Sequence, residues 1–200
     1  MIRQQRIRVE NRAVIALGSN LGDREVHLHS AIAQIGELAE VRVLAASDLV
    51  QTAAMKPGGV DVDAPRYLNA VVTVSTPLTA AELLDRLHEI ELAHGRVRAE
   101  RWGDRTLDLD IIVFGTTIAS SPLLTLPHPR AAERAFVLAP WLQIEPDAVL
   151  PGAGRVAELL ARLDDHAEPY RAVEVRADDH DLASARDADT ARSHPAGSHR

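Results

Sequence analysis

Apolar residues recur along this chain in two rhythms, one near every second residue and one near every 3.6, with turn-forming residues at the junctions. Ala13-Val14-Ile15-Ala16-Leu17 predicts a short buried strand that ends at Gly18-Ser19-Asn20. Leu28, Ala31, Ile32 and Ile35 then follow at helical spacing behind Asp23, a residue suited to cap that helix. Val41 to Gln51 predicts a second strand, and a Pro/Gly-rich loop runs from Lys56 to Pro65. Tyr67 to Thr76 predicts a third strand. Thr79-Ala80-Ala81-Glu82 is a capping box, Leu83, Leu87 and Ile90 share the face of the helix behind it, and Gly95 is placed to stop that helix. A strand carrying Asp108 and Asp110 comes next. Beyond Gly115 the pattern predicts a hairpin, the Pro127-His128-Pro129-Arg130 turn, a short helix, the apolar run Phe136-Val137-Leu138 and a last helix with Val156, Leu159, Leu160 and Leu163 inward.

The order β-α-β-β-α-β predicts an α+β fold of the ferredoxin-like kind, an antiparallel sheet with two helices over one face, extended by a C-terminal hairpin and helix. The domain reading is a polar extension over 1–12, a catalytic domain over 13–163 and an acidic, mostly disordered tail over 164–200. That tail holds nine acidic residues against five arginines and little periodic apolar pattern beyond Tyr170 to Val175.

Composition narrows the class. A chain of 200 residues has room for one catalytic unit. It has no cysteine, which excludes disulfides and thiolate chemistry and fits a reducing cytoplasm. Met1 to Arg12 is polar and Arg-rich rather than signal-like, and no apolar run approaches the roughly 20 residues a bilayer demands. A net charge of -7 argues against a general nucleic-acid binder. The expectation is a cytoplasmic monomer acting on small molecules, with neither nucleic acid nor membrane as partner.

The chemistry concentrates in Arg101-Trp102-Gly103-Asp104-Arg105-Thr106-Leu107-Asp108-Leu109-Asp110. On a strand Asp108 and Asp110 share one face, with Leu107, Leu109, Ile111 and Val113 on the other. Two adjacent carboxylates repel unless a cation bridges them, and oxygen ligands suit Mg²⁺ held jointly with substrate phosphates. Arg96, Arg98, Arg101 and Arg105 stand close by in sequence to neutralise phosphate oxygens, and their loop reads as a lid over the bound substrates. Only six aromatic residues exist, so Tyr67, Trp102 and Phe136, each bordering a loop, are candidates to sandwich a flat heterocycle whose edge Asn69 could read. Phe114 and Trp141 read as core residues.

Gly18-Ser19-Asn20-Leu21-Gly22-Asp23-Arg24, Tyr67-Leu68-Asn69-Ala70, Gly95-Arg96-Val97-Arg98, the arginine-to-Asp110 block, Pro127-His128-Pro129-Arg130 and Arg134-Ala135-Phe136-Val137-Leu138 together resemble the 6-hydroxymethyl-7,8-dihydropterin pyrophosphokinases of folate biosynthesis. The resemblance runs in order from about Ala13 to Leu163. It implies ATP as donor, two Mg²⁺ ions and 6-hydroxymethyl-7,8-dihydropterin as acceptor. It implies that Asp108 and Asp110 hold the metals and that Arg96 and Arg105 assist transfer. Thr52, Tyr67, Asn69, Trp102 and Phe136 match pterin-binding positions. Glu91, Arg98, Arg105, Ile111, Thr125, His128 and Arg134 match positions that contact ATP. Asp104 replaces a proline usual in the family, His88 stands where a glutamine contacts adenine, and Thr52-Ala53-Ala54-Met55 replaces a more proline-rich loop.

Two other classes share parts of this pattern. Metal-dependent nucleotidyltransferases also set paired aspartates on a strand, but close in sequence to their Gly-Ser, whereas Gly18-Ser19 is far from Asp108 here. Ferredoxin-like folds also serve as non-enzymatic ligand-binding modules, which the paired carboxylates and arginines argue against. A Walker-type kinase is excluded, because Gly18 to Gly22 is not followed by Lys and Ser/Thr.

Overall fold

The computed structural model describes residues 9–56, 59–61, 65–95, 105–164 and 166–171. A six-stranded antiparallel sheet forms its centre: β1 (Asn11–Ser19), β2 (Arg42–Ala46), β3 (Val50–Thr52), β4 (Tyr67–Thr76), β5 (Asp108–Phe114) and β6 (Glu168–Pro169). Side by side they run β6-β3-β4-β1-β5, with β2 also paired to β4. Helices α1 (Arg24–Glu37) and α2 (Ala80–Ala93) supply the crossovers of the expected ferredoxin-like α+β fold.

Local chemistry explains the boundaries. The Asp23 carboxylate accepts the Val26 N–H at 3.1 Å and starts α1. At α2 the Thr79 hydroxyl accepts the Glu82 N–H at 3.2 Å while Glu82 accepts the Thr79 N–H at 2.7 Å. Gly95, at φ +75°, lies just past the end of α2 in a conformation that favours glycine. The strand expected from Val41 to Gln51 is real but broken. Both pieces pair with the same edge of β4, and between them the Ser47 hydroxyl accepts the Val71 N–H at 3.0 Å, doing the work of a backbone carbonyl. The described part of the Pro/Gly-rich loop forms a small hairpin, Ala54–Lys56 against Gly59–Asp61.

The sheet buries both faces. One packs Ile15, Leu17, Val72, Val74, Leu107, Leu109 and Ile111 against Leu28 and Ile35 of α1 and Leu83 and Leu87 of α2. The other packs Val14, Ala16, Val71, Ile112 and Val113 against α3 (Ala135–Ile144) and α4 (Val156–Leu160). The run Phe136-Val137-Leu138 is thus the first part of α3, which carries Pro140 inside it and Trp141 buried in this second core. Phe114 is buried in the first core, as its sequence context suggested.

One expectation needs correction. Val113 lies on the same face as the aspartates, because the β1–β5 register shifts between Val14 and Ile15 and leaves Ile112 as an extra residue. Within the segment expected to be mostly disordered, Glu168–Pro169 form β6, paired to Val50 and Gln51, and Tyr170 follows, its N–H donating to the Leu49 carbonyl at 3.0 Å. Two residues are too short a stretch for alternation to reveal a strand. Residues 172–200 lie outside the described residues. Among the described residues no helix is long and apolar enough to cross a membrane.

Candidate active site

Register assembles the site. Val50 of β3 pairs with Asn69 of β4, Asn69 with Gly18 of β1, and Gly18 with Asp108 of β5. Directly opposed residues share a sheet face, and side chains two apart on a strand share it too. Thr52, Tyr67, Asn69, Asp108 and Asp110 therefore occupy one face at one end of the sheet, beyond the α3 and α4 core. Gly18 keeps the middle of that row low: a Cβ there would stand 3.2 Å from the Asn69 Oδ1. About 10 Å, two strand spacings, separates the Asn69 side of the row from the aspartates.

Around the aspartates the charges are uneven. Arg105 donates from Nη1 to Asp108 Oδ2 at 2.5 Å. Asp110 Oδ2 lies 3.7 Å from Arg134 Nη1 and 3.9 Å from His128 Nε2, close enough for attraction but beyond a hydrogen bond. Withdrawal from water and then the Asp108 carboxylate raise the Asp110 pKa above the usual carboxylate value, against His128, Arg134 and Arg105. Burial lowers the His128 pKa, with Arg134 and Arg130 adding to that and Asp110 and Asp108 opposing it. The Arg134 guanidinium is also lowered by burial, yet stays a cation at neutral pH. The two carboxylates thus crowd each other despite three nearby donors, and a divalent cation would relieve that crowding. Oxygen donors on one face of an open strand suit Mg²⁺, which commonly takes one or two carboxylates and completes its shell from water and phosphate. Among the described residues no group of three or more His, Cys, Asp and Glu is placed to hold a metal alone.

At the other end of the row, buried Asn69 donates from Nδ2 to the buried Thr52 Oγ1 at 3.2 Å. That bond fixes the amide plane, and Tyr67 lies two residues away on the same face. Phe136 opens α3 with Arg134 stacked over its ring, the guanidinium carbon 5.4 Å from the centroid. Arg134 therefore links the aromatic wall to Asp110.

Other sequence candidates fall elsewhere. Ile111 buries its side chain in the helix-covered core on the opposite face, so only its main chain could meet a ligand. Glu91, 1% exposed on α2, accepts the Leu109 N–H at 2.7 Å, between the two aspartates. Thr125 is exposed on a small hairpin, Ala119–Ser120 against Thr125–Leu126, and a cis Leu126–Pro127 peptide leads from it to His128. Arg96, Arg98 and Trp102 lie outside the described residues, as does the substituted Asp104. Asn20 received no role from sequence. It is 1% exposed, accepts the Arg105 N–H on Oδ1 at 2.7 Å and donates its own N–H to the Arg105 carbonyl at 3.1 Å, so it holds Arg105 beside Asp108. Its place in Gly18-Ser19-Asn20, next to a strand end, was the available signal.

The sequence model of the 7,8-dihydro-6-hydroxymethylpterin-pyrophosphokinase family matches residues 14–146. The 2-amino-4-hydroxy-6-hydroxymethyldihydropteridine pyrophosphokinase of Haemophilus influenzae is 40% identical over 154 residues, which cover 77% of this chain and 94% of that enzyme. Its Bacillus subtilis counterpart is 43% identical over 136 residues, covering 68% and 79% respectively. In fold, the chain is similar to a Plasmodium falciparum HPPK-DHPS variant with a TM-score of 0.59 at 14% identity, covering 76% of this chain and 43% of that one. Crystals of an HPPK-DHPS in complex with substrates give a TM-score of 0.57 at 13% identity with the same coverage. This chain spans less than half of those HPPK-DHPS chains, and the likeness there is one of fold. Matched over most of its length and nearly end to end with its Haemophilus relative, the chain belongs to the 7,8-dihydro-6-hydroxymethylpterin-pyrophosphokinase family of enzymes.

Proposed function

We propose that this chain transfers the terminal pyrophosphate of ATP to the hydroxymethyl group of 6-hydroxymethyl-7,8-dihydropterin, giving AMP and the pterin diphosphate for folate synthesis. The observation that carries the reading is the single row across one sheet face, with a heterocycle-reading amide at one end and a cation-demanding carboxylate pair at the other. The separation of about 10 Å suits a flat acceptor at Asn69 reaching a triphosphate at Asp108 and Asp110.

Asp108 and Asp110 would hold two Mg²⁺ ions. When bound there, Mg²⁺ supplies positive charge to the attacking and leaving oxygens of an in-line displacement. Thr52 and Asn69 read the pterin edge, while Tyr67, Phe136 and Trp102 enclose its faces. His128 and Arg134 meet the triphosphate where they already approach Asp110, Arg98, Thr125 and the Ile111 main chain complete the ATP side, and buried Glu91 supports that side through the Leu109 N–H. Arg96 and Arg105 take up the charge that grows on the transferred group. The Arg105–Asp108 contact holds that guanidinium in readiness until phosphate competes for it. The pterin oxygen forms a bond to the β-phosphorus, the bond from that phosphorus to the bridging oxygen of AMP breaks, and the hydroxyl proton leaves to solvent. No side chain is assigned as general base. The lack of cysteine fits a reducing compartment such as the cytoplasm, and a monomer suffices because one chain supplies the whole row.

Incubation with ATP, Mg²⁺ and the reduced pterin, followed by nucleotide separation, tests this. AMP with pterin diphosphate is expected. ADP would mean simple phosphoryl transfer, inorganic pyrophosphate would mean nucleotidyl transfer, and ligand binding without turnover would mean a non-enzymatic module.

A further inference from the structure

β3 is three residues long, yet it carries Thr52, half of the buried pair that sets the Asn69 amide. A strand that short at a sheet edge is weakly held, because one side of its backbone has no partner. Here β6 closes that side. Glu168 pairs with Gln51, Pro169 pairs with Val50, and the Tyr170 N–H continues the ladder to Leu49. The Tyr170 ring packs against the helix-covered core, and its hydroxyl donates to Glu25 of α1 at 3.1 Å.

The strap also reaches the residue before Tyr67. Glu168 Oε2 lies 3.0 Å from Arg66 Nη1, and the Arg66 carbonyl accepts from Arg24 Nη1 at 2.5 Å. Tyr170, Glu25, Arg24, Arg66 and Glu168 therefore form a closed circuit around the start of β4, the strand of Tyr67 and Asn69. Both side chains of the Arg66–Glu168 pair are about half exposed, so that pair adds little by itself. The backbone pairing and the packed Tyr170 ring carry the effect. These residues lie beyond the 14–146 matched by the family model.

We infer that Glu168–Tyr170 is a positioning element for the acceptor subsite, holding β3 and the β4 entrance so that Thr52, Tyr67 and Asn69 meet the heterocycle in fixed geometry. This rests on the functional reading above. It predicts an effect confined to the acceptor, since the triphosphate side is built on β5, the His128 turn and α3.

Three full-length variants separate the contributions. Tyr170→Phe loses only the Glu25 hydrogen bond, Tyr170→Ala also loses the packed ring, and Tyr170→Pro further removes the N–H that meets Leu49. Expected is a graded rise in the pterin KM, about 2-fold for Phe and on the order of 10-fold or more for Pro, since a net hydrogen bond is worth roughly 2- to 10-fold. The ATP KM should stay within about 2-fold of the parent, a margin below one net hydrogen bond. Pterin affinity read from its own fluorescence should follow the same order. Unchanged pterin KM and affinity across the series would overturn the inference. So would equal rises in both KM values alongside a lowered melting temperature, which would mark the strap as merely structural. Failure of the parent chain itself to form AMP would instead overturn the functional reading, a result visible before any variant is made.

Discussion

Removing the Glu91 carboxylate should disturb both the fold and the aspartate pair. Glu91 is 1% exposed, and its Oε1 accepts the N–H of Leu109, the residue between Asp108 and Asp110. In Glu91→Ala that donor stays buried without this acceptor, at a cost of roughly 1–3 kcal/mol. The lost methylene adds about 0.8 kcal/mol of packing. A total near 3 kcal/mol lowers the melting temperature by about 6–12 °C in a domain of this size. Glu91→Gln keeps an oxygen for Leu109 and surrenders the charge assistance of that bond, about 1 kcal/mol. Turnover should fall further than stability alone implies, because β5 is the sheet edge and misplacing its carboxylates by about 1 Å can cost 10²-fold. Circular-dichroism melts and AMP formation under saturating ATP, Mg²⁺ and pterin would measure both. If Glu91→Ala melts within 2 °C or so of the parent, or if Glu91→Gln loses as much as Ala, the Leu109 contact does not support the strand as argued.

Asp108→Asn and Asp110→Asn should each lower turnover by at least on the order of 10²–10³, the scale of losing one strong electrostatic stabiliser. Their melts without Mg²⁺ should stay close to the parent, since relief of the carboxylate repulsion offsets the lost contacts to Arg105, His128 and Arg134; near-normal turnover would reject the metal assignment. Gly18→Ala places a methyl 3.2 Å from the Asn69 Oδ1, so it should raise the pterin KM on the order of 10-fold by disturbing the bond to Thr52 and leave the ATP KM unchanged; an unaltered pterin KM would separate Asn69 from the acceptor. His94 has its pKa lowered, by burial first and then by His27, whose Nδ1 lies 3.1 Å from the His94 Nδ1. The folded chain therefore binds fewer protons than the unfolded one below the ordinary histidine pKa of about 6.5, and stability should fall as pH drops through that value. Melts from pH 7.5 to 5 should show that decline and a shallower one in His94→Gln; equal slopes would exclude the histidine pair as its source.

Much of this was legible because local chemistry decided it. Tyr67 to Thr76 is rich in β-branched residues and is flanked by turn residues, and the observed β4 has those bounds. Asp23 and the Thr79–Glu82 box act within one helical turn, so four residues suffice to read them. What stayed hidden depends on partners distant in sequence. Nothing near Glu91 reveals that its carboxylate meets Leu109, and nothing near Asn20 reveals that it grips Arg105. The shift that turns Val113 toward the aspartate face is a property of the β1–β5 pair rather than of either strand. Ser47 reads as one more strand residue until its hydroxyl is seen against Val71. The motif residues Thr52, Tyr67, Asn69, Asp108 and Asp110 could be named from sequence, but only register puts them in one row.

Positional labelling of ATP tests the central claim most directly. The parent chain is incubated with Mg²⁺, 6-hydroxymethyl-7,8-dihydropterin and ATP carrying label at the α-phosphate in one sample and at the γ-phosphate in another. Attack at the β-phosphorus sends the γ-label to the pterin product and leaves the α-label in AMP, one pterin diphosphate for each AMP. Alpha label on the pterin, or γ-label on the pterin with ADP released, would contradict the account.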